Sequence, residues 1–210
     1  MNTSIGPDPA VAHPAAIAQR EMQQQLGRCM LRIQQYERAL KALVASGSIT
    51  AHPERLPEAQ SRQTAAQQTK TLGQLIRMFT DEHLSDGSLE TAERLDTDET
   101  VQQPLFRSQF TIAMTPERYR QTVAGLNELK DIRNKLIHHL VEQFDISTEA
   151  DCLAGTAYLR DCYAKIDAAL LQLKEWADGH ARMQAEAAVV LRSKEFEDAF
   201  VYGKVTGAKR

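Results

Sequence analysis

The sequence predicts an all-α fold, a helical bundle of four long helices plus a short C-terminal helix, with one short extended segment near residues 105–114. Three observations predict it. Met22, Leu26, Cys29, Ile33, Tyr36, Leu40 and Leu43 recur at alternating spacings of four and three, as in a helix packed along another. Leu159, Tyr163, Ile166, Leu170, Leu173 and Ala177 repeat that rhythm late in the chain. Between them, Thr115-Pro116-Glu117 is a helix start. Thr caps, Pro stands where a missing N–H costs nothing, and the acid meets the positive end of the helix dipole.

The elements follow in order. Residues 1–14 hold Pro7, Pro9 and Pro14 without apolar periodicity, so a flexible N-terminal arm is expected. The first helix runs from about Ala15 to Ser46-Gly47. After a loop with Pro53 and Pro57, a second helix is expected over 57–84, with Ala65, Leu72, Leu75, Ile76 and Phe79 on its buried stripe. Residues 85–103 set Asp86, Glu90, Glu93, Asp96, Asp98 and Glu99 against Arg94, and Asp86-Gly87-Ser88 signals a turn; this is an acidic linker. Phe106, Phe110, Ile112 and Met114 then fall on even positions with polar residues between, a period-two pattern. No second strand is evident, so the segment is expected to lie over the helices or to pair with its copy in a dimer. The third helix runs from 116 to about Phe144. Ser147-Thr148-Glu149 opens the fourth, which passes Trp176 and continues, bent or broken around Gly179, towards Leu191. A last helical segment over 194–202 precedes a flexible tail at 203–210. Residues 15–202 thus form a single helical domain, with the acidic linker and extended segment at 85–114.

Composition narrows the function. A chain of 210 residues with 42% hydrophobic and 25% charged residues can bury one sizeable core. A net charge of -3 excludes the broad basic field of a protein that coats nucleic acid, while leaving room for a local phosphate site. Cys29, Cys152 and Cys162 lie within helical patterns without metal-like spacing, and read as small core residues in a reducing compartment. His13, His52, His83 and His180 are scattered among loops and helix ends, so no metal and no cofactor are expected. Tyr36, Tyr119, Tyr158, Tyr163 and Trp176 occupy core-like positions. With no secretory signal and no apolar run long enough to cross a bilayer, a cytoplasmic protein without membrane contact is expected.

The third helix carries the candidate chemistry. At about 100° per residue, Tyr119, Leu126, Ile137, Leu140 and Phe144 share a narrow arc, which Leu129, Ile132 and Leu136 widen on one side. Arg133 falls inside it. A guanidinium stays charged and is costly to bury unpaired, so the apolar stripe must meet something polar there. His138 follows, with His139 beside it. An Arg and a His suit a phosphodiester: the planar fork binds phosphate oxygens and the imidazole moves a proton near neutral pH. RNA supplies its own nucleophile, the 2'-hydroxyl, so no metal is needed. Arg133 and His138 lie about 140° apart around the helix. A second copy across a two-fold axis would let two such pairs converge.

Arg133, Asn134 and His138 in this pattern, on a long helix of a bundle, resemble the HEPN superfamily, whose motif is Arg, four to six residues, then His, commonly with a polar residue after Arg. His139 satisfies the five-residue spacing. The resemblance implies an all-helical fold, a homodimer with a composite site, and metal-independent cleavage of RNA by a toxin or phage-defence effector. It implies Arg133 and His138 as catalytic residues, Asn134 and His139 as supporting ones, and an antitoxin or nucleotidyltransferase as partner. Leu140 stands where many toxins of the nucleotidyltransferase-paired branch carry Tyr. Two other readings remain: a HEPN-like module that binds RNA or a nucleotide without cutting, and a structural or protein-interaction bundle. In the last, Arg133 pairs with Asp131, Glu142 or a carboxylate on another helix, and the histidines are solvated.

Overall fold

The computed structural model describes residues 14–88, 106–196 and 198. It is mostly helical, with two short pairs of strands. Helices α1 (Pro14–Gly47) and α6 (Glu149–Leu191) form its spine. Met22 lies against Gly155, the Cys29 thiol donates to the Leu159 carbonyl at 3.2 Å, Arg32 binds Asp167, and Ser46 Oγ stands 3.5 Å from His180 Nδ1. These pairs advance together along both helices, which therefore run parallel. Both heptad-like stripes meet in the seam: Cys29, Ile33, Leu40 and Leu43 are buried with Leu159, Cys162, Ile166, Leu170 and Leu173. Each such leucine or isoleucine contributes about 1.5–3 kcal/mol when fully removed from water. Gly155 lets the helices approach, since a Cβ there would stand 2.6 Å from Met22 Cε. All three cysteines are free and buried, and burial pushes the Cys29 thiol up to about 11.

Parallel first and last helices oblige the chain between them to travel back. Strand β1 (Ser48–Ala51) and a 3-10 turn (Pro53–Arg55) lead into α2 (Leu56–Gln68), followed by α3 (Leu72–His83) and β2 (Leu84–Ser85). The single helix expected over 57–84 is therefore two. Thr71 ends the run by capping α3: its Oγ1 accepts from Gln74 N at 3.4 Å while Gln74 Oε1 accepts from Thr71 N at 2.9 Å. Ala65, placed on the buried stripe, is exposed, whereas Leu72, Leu75, Ile76 and Phe79 are buried. The turn at Asp86-Gly87-Ser88 forms, with Gly87 at φ 81° and the Asp86 carboxylate accepting from Ser88 N at 3.0 Å.

The extended segment is two strands, β3 (Phe106–Gln109) and β4 (Ile112–Ala113), and both pair within the chain. β3 runs antiparallel to β1, with Ser48 opposite Gln109 and Ala51 opposite Phe106. β4 runs parallel to β2. The expected pairing with a second copy is thus corrected: β1 supplies the missing partner, and four residues were too few to show a period.

These strands close one end of the bundle. Phe110 N donates to the Gly47 carbonyl at 2.6 Å, His83 Nδ1 lies 2.9 Å from the Phe110 carbonyl, and the Phe110 ring sits 4.7 Å from that of His180. α4 (Pro116–His138) then runs back antiparallel to α6, as the Glu128–Lys165 ion pair and the Lys135–Tyr158 end of their groove show. It stops short of Phe144. His139, at φ −130° and ψ 0°, interrupts the helix, and α5 (Leu140–Gln143) adds one turn. α6 runs through Gly179 unbroken. The arm expected at 1–14, apart from Pro14 in α1, lies outside the described residues, as do most of the 85–103 linker and the 203–210 tail; of the last segment, 194–196 and 198 are helical. Among the described residues no helix is long and apolar enough to cross a membrane.

Two predictions follow from the closed end. A Cβ on Gly47 would lie 2.5 Å from Cε1 of the fully buried His83 ring. Gly47→Ala should therefore lower stability by about 1–3 kcal/mol in urea unfolding, and an unchanged midpoint would show that His83 can move. Burial, and next the neighbouring His83, hold the His180 imidazole below the usual histidine value of 6.5. The unfolded chain thus binds that proton more tightly, and protons favour unfolding. The His180 contribution is constant above about pH 6.5 and declines as pH falls below it. His180→Phe should show a shallower acid-side loss in melts between pH 7.5 and 5, a window set about that 6.5 value.

Candidate functional site

The cap predicted for α4 is present: Thr115 Oγ1 accepts from Arg118 N at 3.3 Å. From that start, Leu126, Leu129, Ile132 and Leu136, with Leu140 just beyond, dock the helix on the core. Their mean direction lies about 60° from the narrow arc marked by the sequence, towards Leu129, Ile132 and Leu136. Ile137 falls outside and is 42% exposed, a correction to its place on the stripe.

Arg133 remains on the docked side, and its polar counterpart is Glu37 of α1, with Nε 3.9 Å from Oε1. The arginine side chain is 32% exposed and the glutamate 25%. A long apolar stem packs over the core while the charged head stays hydrated. Nη1 donates to Asn134 Oδ1 at 3.3 Å. His138 and His139 are exposed at the end of α4, their rings 6.2 Å apart. His139 Nδ1 is 2.8 Å from Glu142 Oε2; His138 has no carboxylate partner among the described residues. Ile137 and the 66% exposed Val141 place apolar surface beside these rings.

The four sequence candidates therefore occupy one end of α4 without forming one cluster. Arg133 is joined to Asn134 and Glu37, His138 to His139, and no described contact links Arg133 with His138. Neither lines the clefts between α4 and α6. In one chain the arrangement offers a partly engaged guanidinium fork for an anion and a solvent-accessible imidazole for proton transfer. Among the described residues no group of three or more His, Cys, Asp or Glu is placed to hold a metal.

Sequence reasoning passed over His83 and His180, which meet at the closed end although no local pattern connects them. His83 Nε2 has no hydrogen-bond partner among the described residues. It also left Tyr36 as a plain core aromatic, whereas the Tyr36 hydroxyl is buried and has no hydrogen-bond partner among the described residues. No protein-family model, curated protein or solved structure matches the chain.

The geometry around Arg133 makes a stability prediction. Its pair with Glu37 is long and partly solvated, so it contributes about 1 kcal/mol or less. Arg133→Met, which keeps the stem, should shift the thermal midpoint by only a few degrees. A drop larger than about 3 kcal/mol would mark a desolvated structural pair instead.

Proposed function

We propose that the chain is a HEPN-type ribonuclease, acting as a homodimer whose composite site combines Arg133 and His138 of two copies. In this reading α1, the α2–α3 pair, α4 and α6 stand for the four helices of such a bundle. The observation that carries it is the Arg133–Asn134 hydrogen bond. It holds the guanidinium of an arginine whose side chain keeps a third of its surface in water, while His138 stands on the same helix free of any carboxylate among the described residues. Exposed Ile137 and Val141 support a covered face beside His138, where a second copy would add its own Arg133 and His138.

The chemistry balances without a metal. One imidazole removes the proton of the ribose 2'-hydroxyl as its oxygen attacks phosphorus. The P–O5' bond breaks, a protonated imidazole gives its proton to the leaving oxygen, and a 2',3'-cyclic phosphate remains opposite a free 5'-hydroxyl. Arg133 binds the non-bridging oxygens and stabilises charge growing there. A cytoplasmic toxin or phage-defence effector, held in check by an antitoxin or nucleotidyltransferase partner, is the setting this chemistry fits.

The Glu37 contact favours a second reading, in which Arg133 serves the bundle and the helices serve a protein partner. The two separate cleanly. The wild-type dimer should cut single-stranded RNA in EDTA and leave a cyclic phosphate. Arg133→Ala and His138→Ala should each lose at least about a hundredfold in rate, while mixing the two inactive variants should restore part of it. Absence of cleavage, or cleavage indifferent to both substitutions, would sink the ribonuclease reading.

A further inference from the structure

The groove between α4 and α6 holds a half-open cavity of about 410 Å³. Its size lies within the range of small-molecule sites, about 300–1,000 Å³. Tyr36, Leu126, Leu129, Ile132, Ala169 and Trp176 line it. Three features of this lining are left unexplained by packing within the chain.

The first is Tyr36, 1% exposed, whose hydroxyl finds no hydrogen-bond partner among the described residues. A buried unpaired hydroxyl costs about 1–3 kcal/mol. Phenylalanine would fill the same space without that penalty. The second is Gly125, in the interior of α4 and on the cavity wall. Glycine there weakens a helix by about 1 kcal/mol relative to alanine. Gly47 and Gly155 have neighbours within 3 Å of an added Cβ; at Gly125, as at Gly27 and Gly179, nothing lies within 4 Å, and of these three only Gly125 lines the cavity. No close approach inside the fold requires it, and a side chain would stand in the cavity. The third is Arg118, also on the lining, which has no carboxylate within 4 Å among the described residues. The other lining cation, Lys165, is paired with Glu128.

We propose that this cavity binds a largely apolar, aromatic small molecule bearing one anionic group. Its body packs between Leu126, Leu129 and Trp176, taking the space above Gly125. A polar atom on the body pairs the Tyr36 hydroxyl, and the anion sits at the rim against Arg118. The site is separate from Arg133 and His138 and does not depend on the ribonuclease reading.

Trp176 is the only tryptophan in the chain, so its fluorescence reports on the cavity. The probe is 1-anilinonaphthalene-8-sulfonate, an aromatic anion, titrated into the full chain, with uncharged N-phenyl-1-naphthylamine as its counterpart. One saturable site per chain is expected, quenching Trp176. Gly125→Leu should abolish that binding, and the milder Gly125→Ala should weaken it while raising the thermal midpoint. Tyr36→Phe should likewise stabilise the protein yet bind the sulfonate about tenfold more weakly, a loss a purely structural tyrosine would not produce. Arg118→Ala should weaken the sulfonate severalfold and leave the uncharged probe unchanged. Unsaturable binding, or affinity indifferent to both Gly125 variants in folded protein, overturns the proposal. So does a change of oligomeric state in Gly125→Leu with no dye site in the wild type, which would make the cavity a contact between copies.

Discussion

The parallel packing of α1 against α6 is the constraint on which the rest of the molecule depends. The first and last long helices bury their stripes in each other, from Met22 beside Gly155 to Ser46 beside His180. Because they point the same way, the intervening chain must return: α4 comes back antiparallel to α6, and α3 is wedged where Phe79 meets Trp176 at 5.4 Å between ring centres. One end of the bundle is sealed by two strand pairs and a buried histidine pair. The other end leaves His138 and His139 in water, while Leu136 in the last turn of α4 stays buried.

That asymmetry explains how a charged motif survives on a docking helix. At the position of Arg133 the core gives way to Glu37, and the stem of the arginine covers apolar surface while its head remains hydrated. A fully desolvated pair would lock the guanidinium to the glutamate and withhold it from any anion. α4 ends at His138, and beyond the interruption at His139 Leu140 is still buried while Val141 faces out. Arg133 and His138 share a helix end but look to different sides, which is why the proposed chemistry joining them calls on a second copy.

Unsatisfied groups in the interior mark where the fold gives up stability. The Tyr36 hydroxyl and His83 Nε2 each lack a hydrogen-bond partner among the described residues, although His83 Nε2 stands 4.0 Å from Glu82 Oε2. His83 is explained by its surroundings: its other nitrogen reaches the Phe110 carbonyl, and its ring fills the space above Gly47. Tyr36 has no such account within the chain, and it borders the one groove where α4 carries an unforced glycine. A fold selected for stability alone would carry Phe and Ala at these two places.

The sequence by itself determined what depends on neighbours along the chain. The stripes of α1 and α6 were legible because burial on a helix recurs every three or four residues, and the caps at Thr115 and the turn at Gly87 because their hydrogen bonds close within three residues. The Thr71 cap was equally local, and its Thr-x-x-Gln pattern was the signal that could have divided the helix over 57–84. For the site, Arg133, Asn134 and the histidines could be named from their order alone. Tertiary structure decided everything set by distant partners. It turned the docked side of α4 away from Ile137, found Glu37 for Arg133, gave β3 its partner β1, brought His83 to His180, and opened the cavity beneath Gly125. Those outcomes depend on which surfaces meet across long stretches of chain, from about 55 residues between β1 and β3 to nearly a hundred between Glu37 and Arg133 or His83 and His180. Periodicity shows that a face is buried, but not against what, and the identity of the facing atoms decides whether a polar group is paired, hydrated or left waiting for a ligand.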